Sequence, residues 1–217
     1  MVPPVEFTLD DDQQALQSTV RAFLADQVPS AYVRSVIEHD RAITDELWGQ
    51  LASLGWTGLL VPEAQGGSGA GLLDMMVVLE EMGRLPLPGP FLSSAVLATT
   101  AARRLDLAEL LPGLVDGTAR GTVAIDEDGH GDVIDRLRTR ASRKSGRWRL
   151  TGTKSVVLDG AGASWVLVPA RTQQGIGSFL VRAPAASSYP GLDVTRRLSR
   201  LELDDAVAEP VGTDCDH

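Results

Sequence analysis

A group of carboxylates with one histidine contains the residue types that can move protons. Its members lie close together in the sequence: Asp126, Glu127, Asp128, His130 and Asp132. A positioned imidazole beside carboxylates can act as a general acid or base. Consecutive acids flanked by glycines are also typical of a surface turn, because glycine reaches turn conformations without steric cost. We favour the turn and predict no catalytic residue in this group.

The segment from Gly66 to Gly71 has the glycine content of an anion-binding loop. Backbone amides in such a loop, placed before a helix, can cradle a phosphate. The dinucleotide-binding pattern would require a third glycine where Leu72 stands, and the lysine of a P-loop is missing. We therefore favour a plain turn between helices over a phosphate site.

Basic residues are concentrated between Arg136 and Lys154. Arg136, Arg138 and Arg140 occupy alternate positions, as side chains on the solvated face of a strand do. We favour this interpretation. The alternative is a site for a phosphorylated ligand or an acidic partner.

The overall composition argues against several classes of protein. A net charge of −9 argues against nucleic-acid binding, which requires concentrated positive charge. Three histidines and one cysteine offer no metal-ligand spacing, so we predict no metal site. No apolar run approaches the roughly 20 residues that span a bilayer, and the start lacks the features of a signal peptide. We predict a cytoplasmic protein with no membrane partner.

The elements that must position these residues change character near the middle of the chain. To about Asp116, apolar residues recur at helical spacing, with Thr8 and Thr44 as predicted N-caps. From Gly121 onward, short apolar runs alternate with Gly and Pro, which predicts strands and a hairpin. Further helices are predicted at 72–82, 91–105 and 107–116, and strands at 138–141, 148–150, 156–158, 165–168 and 178–181. This order indicates an α+β multidomain protein, with an α-helical domain at 1–119 and a β-domain at 120–217.

Several segments occur in the order found in a known family. In the first half they are Leu9 to Gln27, Glu46 to Trp56, Val61 to Gly69, Leu79 to Gly83 and Pro88 to Phe91. In the second half, Leu150 to Lys154 follows a Leu-x-Gly-x-Lys pattern, and Ala163 to Thr172 and Phe179 to Val181 match the strands after it. Over nearly the whole chain, from Phe7 to Gly212, this order resembles the acyl-CoA dehydrogenase family.

The resemblance implies a fold of N-terminal helices, a small antiparallel β-barrel and a C-terminal four-helix domain. It also implies an FAD-dependent oxidoreductase. A base takes the proton α to the thioester of an acyl-CoA substrate, while the β hydride passes to the flavin. Such chemistry serves fatty acid or steroid side-chain β-oxidation. Some members form hetero-oligomers in which one type of subunit has an altered flavin motif.

Two segments correspond to the family's flavin contacts. They supply the cofactor-binding candidates Ala124, Ile125, Asp126, Gly131, Val156, Val157 and Leu158. In the first segment the family usually has Ala-Leu-Thr-Glu-Pro, so Asp126 stands where a hydroxyl normally meets the flavin. In the second, an aromatic, an aliphatic and a Thr or Ser are usual, whereas Val156 and Leu158 supply neither ring nor hydroxyl. An aromatic wall and hydroxyl donors hold an isoalloxazine ring, so we expect weakened FAD binding.

The family's catalytic carboxylate belongs to its C-terminal domain, which would begin about where this sequence ends. No catalytic base is therefore assigned. We interpret the chain as an incomplete or partner subunit of an acyl-CoA dehydrogenase hetero-oligomer, inactive alone. One alternative is a working enzyme assembled with a separate C-terminal half, and another is a non-redox acyl-CoA-binding module.

Overall fold

Helices form the first half of the chain and strands the second. The computed structural model describes residues 8–38, 43–127 and 136–212. The helices are α1 (Asp11–Gln27), α2 (Ser30–Glu38), α3 (Asp45–Ser53), α4 (Leu72–Arg84), a π-helix (Phe91–Ala98), α5 (Thr99–Arg104) and α6 (Leu111–Val115). The strands are β1 (Gly121–Val123), β2 (Arg140–Lys144), β3 (Arg147–Leu158), β4 (Trp165–Arg171), β5 (Ile176–Arg182), β6 (Ala186–Tyr189) and β7 (Leu198–Val211). Within the described ranges, no helix combines the length and apolar character needed to cross a bilayer.

The helix starts agree in part with the sequence. Thr44 caps α3 as predicted, with its hydroxyl accepting from the amide of Leu47 at 3.2 Å. The prediction that Thr8 caps α1 is wrong, because Asp10 is the N-cap. Asp10 and Gln13 form a reciprocal capping box, which satisfies two amides that a helix start leaves unpaired.

The helix predicted at 91–105 contains two kinds of helix. Its first eight residues are a π-helix, which continues as α5. The π-helix contains two consecutive serines that both bond to the second half of the chain. Ser93 donates to Asp159 at 2.6 Å, and Ser94 accepts from the amide of Gly121 at 3.2 Å. A π-helix of this length is unusual, since most are single-turn bulges within α-helices.

The strands close into a barrel. Consecutive pairings link β4, β2, β3, β7 and β5, and β5 returns to β4. The expectation of a purely antiparallel sheet is wrong, because β1 pairs with β4 in parallel and β2 meets β4 in parallel through Arg140 and Arg171. The predicted strand at 156–158 is the end of the long strand β3.

The helices and the barrel share buried residues. One apolar cluster joins Ala98 and Leu114 from the helices with Trp165 and Leu180 from the barrel. Polar contacts cross the same boundary, including Arg120 to Asp45 at 2.6 Å. The barrel therefore rests on the helical half through both apolar and polar contacts.

Candidate functional site

The two segments predicted to contact a flavin lie side by side. Asp126 forms an antiparallel bridge with Val156, and the amide of Ser155 donates to the carbonyl of Asp126 at 2.9 Å. Ala124 is buried, and its amide donates to the carbonyl of Leu167 at 2.9 Å. Strand pairing thus brings together Ala124 to Asp126 and Val156 to Leu158. Gly131 lies outside the described residues.

Alternation along the strand divides these candidates between the core and the surface. Val157 is fully buried in the barrel core, whereas Val156 and Leu158 are half-buried. Ile125 is 42% exposed, and Asp126 is half-buried. We call these four partly exposed residues, Ile125, Asp126, Val156 and Leu158, the motif surface.

A buried ion pair fixes the motif surface from below. The Lys154 ammonium lies 2.8 Å from a Glu127 carboxylate oxygen and also donates to the carbonyls of Pro169 and Ile125, at 3.0 and 3.4 Å. The Lys154 side chain is fully buried, and that of Glu127 is 7% exposed. The pair therefore ties the segment after β1 to strands β3 and β4.

Glu127 also receives donors from the chain that enters β2. The amides of Arg138 and Thr139 and the Thr139 hydroxyl all donate to its carboxylate. Burial by itself raises the pKa of Glu127, but hydrogen bonds from Lys154 and Thr139 outweigh it and hold the pKa at about 2. Glu127 is therefore an ionised structural anchor and no general acid.

The groups on the motif surface do not fit a flavin ring. The side chains of Val156 and Leu158 have neither a hydrogen-bond donor nor an aromatic ring. The amide of Ala124 is already used within the barrel, so it offers no donor either. The third side chain, Asp126, is a carboxylate where the family usually has a hydroxyl donor. Side chains of this type cannot supply the ring contact and hydroxyl donors by which proteins hold and tune a flavin.

The glycine-rich loop is a turn whose amides are used internally. Gly67 and Gly69 donate to the carbonyls of Pro62 and Val61 at 3.2 and 2.8 Å. Gly66 has a φ of 86°, in the left-handed region that favours glycine. Because these loop amides bond the neighbouring chain, they do not form an anion nest. The structure thus favours the plain turn predicted from the sequence.

Most of the basic stretch forms a surface hairpin, with one exception. Arg140 and Lys144 are exposed on β2, and Lys144 pairs with Asp205 on β7. Arg149 on β3 donates to the Asp205 carbonyl at 2.9 Å. Lys154 differs because it is buried beside Glu127. The predicted strand face is confirmed only in part: Arg136, Arg138 and Arg140 are all exposed, but Arg136 and Arg138 precede β2, and of the three only Arg140 lies on a strand.

The predicted acid and histidine group is only partly described. Asp128, His130 and Asp132 lie outside the described residues, as does Cys215. Among the described residues, no three His, Cys, Asp or Glu side chains are grouped closely enough to hold a metal ion.

Two buried carboxylates were not singled out as sites from the sequence. Asp159 is 9% exposed and accepts from Ser93, and burial raises its pKa. Glu81 is 2% exposed and accepts from Arg21 through both guanidinium contacts, at 2.6 and 2.9 Å. Asp159 joins the barrel to the π-helix, and Glu81 joins α4 to α1. Glu81 also accepts from Arg84, three residues along α4, at 3.2 Å. The partners that join separate elements, Arg21 and Ser93, lie 60 and 66 residues away in the chain, so no local pattern indicates those contacts.

Comparison with known proteins agrees with the segment order. Residues 10–105 match the model of the acyl-CoA dehydrogenase N-terminal domain. FadE27, an acyl-CoA dehydrogenase of Mycobacterium tuberculosis, is 32% identical over 97% of this chain and 58% of its own length. The chain belongs to the acyl-CoA dehydrogenase family. This membership agrees with helices followed by a small barrel.

Solved structures of the same family share the fold. The Tcur3481–Tcur3483 steroid acyl-CoA dehydrogenase variant is 34% identical, with a TM-score of 0.77 over 94% of this chain and 58% of that chain. The ChsE4–ChsE5 complex from Mycobacterium tuberculosis is 29% identical, with a TM-score of 0.84 over 97% and 59%. The chain thus spans under two thirds of the length of these relatives.

Proposed function

We propose that this chain is one of two different subunits of an acyl-CoA dehydrogenase that acts on acyl-CoA thioesters. Its own motif surface does not hold FAD, and the partner subunit supplies the flavin. The chain is therefore inactive alone. Its role is to complete the assembly in which the partner works.

The observation that carries this proposal is the chemistry of the motif surface. Where the family usually has a hydroxyl donor, this chain has the Asp126 carboxylate. Where the family usually has an aromatic ring and a hydroxyl, this chain has Val156 and Leu158. Losing one hydrogen bond costs about 0.5–1.5 kcal/mol, and an unsatisfied buried partner costs more. Several such losses together weaken binding by orders of magnitude, since each 1.4 kcal/mol is tenfold.

The relatives support a two-subunit assembly. Two of the similar solved structures are described as pairs, Tcur3481–Tcur3483 and the ChsE4–ChsE5 complex. The first of these is a steroid acyl-CoA dehydrogenase. By analogy, the substrate of the assembly is an acyl-CoA thioester with a fatty acyl or steroid body.

The flavin content of the purified chain tests the proposal. We expect no flavin absorbance after the protein is incubated with excess FAD and desalted. The variant Asp126→Thr/Val156→Trp/Leu158→Thr restores the side-chain types that the family usually has, and we expect it to retain more flavin. Val207→Thr on β7 is a matched control, because Val207 is 49% exposed and outside the motif surface.

Retention of one FAD per chain by the unchanged protein would overturn the proposal. It would favour a working enzyme assembled with a separate C-terminal half. Calorimetry with a CoA thioester addresses the non-redox alternative. Tight thioester binding by a flavin-free chain without any partner would favour an acyl-CoA-binding module.

A further inference from the structure

The hairpin of β2 and β3 concentrates positive charge on one side of the sheet. A two-residue turn, Ser145 and Gly146, joins the strands, and both residues have φ angles in the left-handed region, at 51° and 78°. Turns of this kind match the twist of the flanking strands and hold a hairpin in one register. Alternation along the paired strands places four cations on the same side: Arg140, Lys144, Arg147 and Arg149. We call these four residues the basic face.

Acidic neighbours neutralise the basic face only in part. Arg140, Lys144 and Arg147 are exposed, and the Arg149 side chain is 29% exposed. Asp205 on β7 pairs with Lys144 and lies 3.9 Å from Arg149. Within the described ranges, neither Arg140 nor Arg147 forms an ion pair. Two guanidinium groups of the face thus have no carboxylate partner in this part of the chain.

Two cations of the basic face lie directly opposite each other. Lys144 pairs in register with Arg147, and Arg149 is the diagonal neighbour of Lys144. Like charges directly opposite each other destabilise a strand pair. When both carboxylates of the adjacent β7 segment, Asp204 and Asp205, are counted, the face still keeps an excess of two positive charges. A merely solvated strand has no need of this arrangement, and local conflicts of this kind are expected at functional sites.

The tip of the hairpin is an edge of the sheet. Among the described strands, β4 meets β2 only where Arg140 pairs with Arg171, so residues 141–144 have no strand on that side. Charged side chains on an edge discourage pairing with another copy of the same strand. The basic face therefore disfavours a second copy of β2 and favours a segment of opposite charge.

The charge of the whole chain selects among anionic partners. Because the net charge is −9, a nucleic acid or membrane surface that extends past the hairpin would meet an acidic remainder. A short acidic segment of a protein meets the hairpin alone. Its carboxylates repeat every about 6.7 Å when they occupy alternate positions of an extended chain, as Arg147 and Arg149 do on β3. Arginine also forms paired hydrogen bonds with carboxylates.

We propose that the basic face binds an extended acidic segment of a partner protein, with carboxylates at alternate positions. One carboxylate lies on Arg140 and another on Arg147. Their charge relieves the repulsion between Lys144 and Arg147. The basic face shares no residue with the motif surface, so this docking is separate from flavin binding.

Fluorescence anisotropy of labelled peptides, titrated with the purified full chain, tests this surface. One octapeptide alternates Glu with Ser, and its control alternates Gln with Ser, so the two differ in charge but not in length. At low salt we expect the Glu peptide to bind at least tenfold more tightly than the Gln peptide, since several exposed charge pairs act together. The difference should shrink as salt is added.

Variants localise the binding. Arg140→Gln and Arg147→Gln should each weaken the Glu peptide about threefold, and the double variant about tenfold, because exposed charge pairs are individually weak. Arg104→Gln is the matched control, since Arg104 is exposed on α5, outside the hairpin, and its affinity should equal that of the wild type. Arg147→Gln also removes the like charge opposite Lys144, so its melting temperature should not fall.

Four results would overturn the proposal. They are equal affinity for the two peptides, no saturable binding of the Glu peptide up to about 1 mM, an equal loss in Arg104→Gln, and a melting temperature of Arg147→Gln well below that of the wild type. The last would show that Arg147 serves folding. If the double variant instead lost binding to duplex DNA or phosphatidylserine vesicles while the Glu peptide did not bind, the face would belong to another class of anion. Because flavin absorbance is not measured, these outcomes are independent of the proposed subunit role.

Discussion

Replacing Lys154 by methionine tests the buried ion pair beneath the motif surface. Methionine keeps an apolar stem but removes the charge, which leaves the Glu127 carboxylate without its cation. The Lys154 side chain is fully buried and that of Glu127 is 7% exposed. Breaking such a pair costs about 3–5 kcal/mol. We expect the lower end, because Thr139 and the amide of Arg138 still donate to Glu127.

Urea unfolding followed by tryptophan fluorescence near pH 7 measures this loss. Arg182→Met is the matched control, because the Arg182–Glu209 pair has side chains 53% and 54% exposed. An exposed pair of this kind contributes at most about 1 kcal/mol. If Lys154→Met cost no more than the control, water would reach Glu127 in the folded state and the reasoning would be refuted.

The same pair predicts acid sensitivity. The pKa of Glu127 falls from its ordinary 4.5 to about 2 in the folded chain. A carboxyl with a lowered pKa contributes stability that is complete above 4.5 and is lost as the pH falls toward 2. The difference corresponds to about 3 kcal/mol. The difference in the free energy of unfolding between the wild type and Glu127→Gln should therefore shrink as the pH falls from 4.5 toward 2. A difference that stays constant with pH would contradict an ionised Glu127.

Two further substitutions test close packing and a buried carboxyl. Gly67→Ala should lower the free energy of unfolding by about 3 kcal/mol, since its Cβ would lie 2.1 Å from the Val61 carbonyl oxygen. Gly162→Ala, with nothing within 4 Å, should change it little in the same urea assay, and equal losses would contradict the reasoning. Asp159→Asn should be at least as stable as the wild type near pH 7, because burial raises the pKa of Asp159 and folding stability falls as the pH rises above 3.8. Ser93 can still donate to the amide oxygen of the variant. Melting temperatures of the variant and the wild type at about pH 4 and pH 7 check this, and a variant that is less stable relative to the wild type at pH 7 than at pH 4 would contradict it.

Local sequence patterns were sufficient to predict several elements. Such patterns were also present at other elements that were not predicted. Thr44 has the residue type and position of an N-cap, and it caps α3. Asp10 with Gln13 carries the capping-box spacing, so the cap of α1 could have been read from sequence. Strand β7 also alternates Leu201 and Leu203 inward with charged residues outward, which is a strand signal.

Other features depend on partners distant in the chain. The parallel pairing of Gly121 with Trp165 joins residues more than 40 positions apart, and no local pattern specifies it. Lys154 looks like a member of a basic strand face until Glu127 is placed beside it. The direction in which a strand residue points depends on register, and register follows from the whole sheet. The fold class is thus more accessible from sequence than the charge state of its interior.

The ion pair serves folding, whereas the motif surface bears on ligand binding. Lys154 and Glu127 are satisfied by each other and by nearby backbone groups, so the two segments keep their positions without a bound group. Asp126, Val156 and Leu158 are only half-buried above this pair, so exchanging them disturbs the core little. Substitutions on the motif surface therefore report on binding more than on folding. If the restored triple variant folds yet stays colourless, groups from a second subunit are required to hold the flavin. If it binds FAD, the three side chains account for the loss.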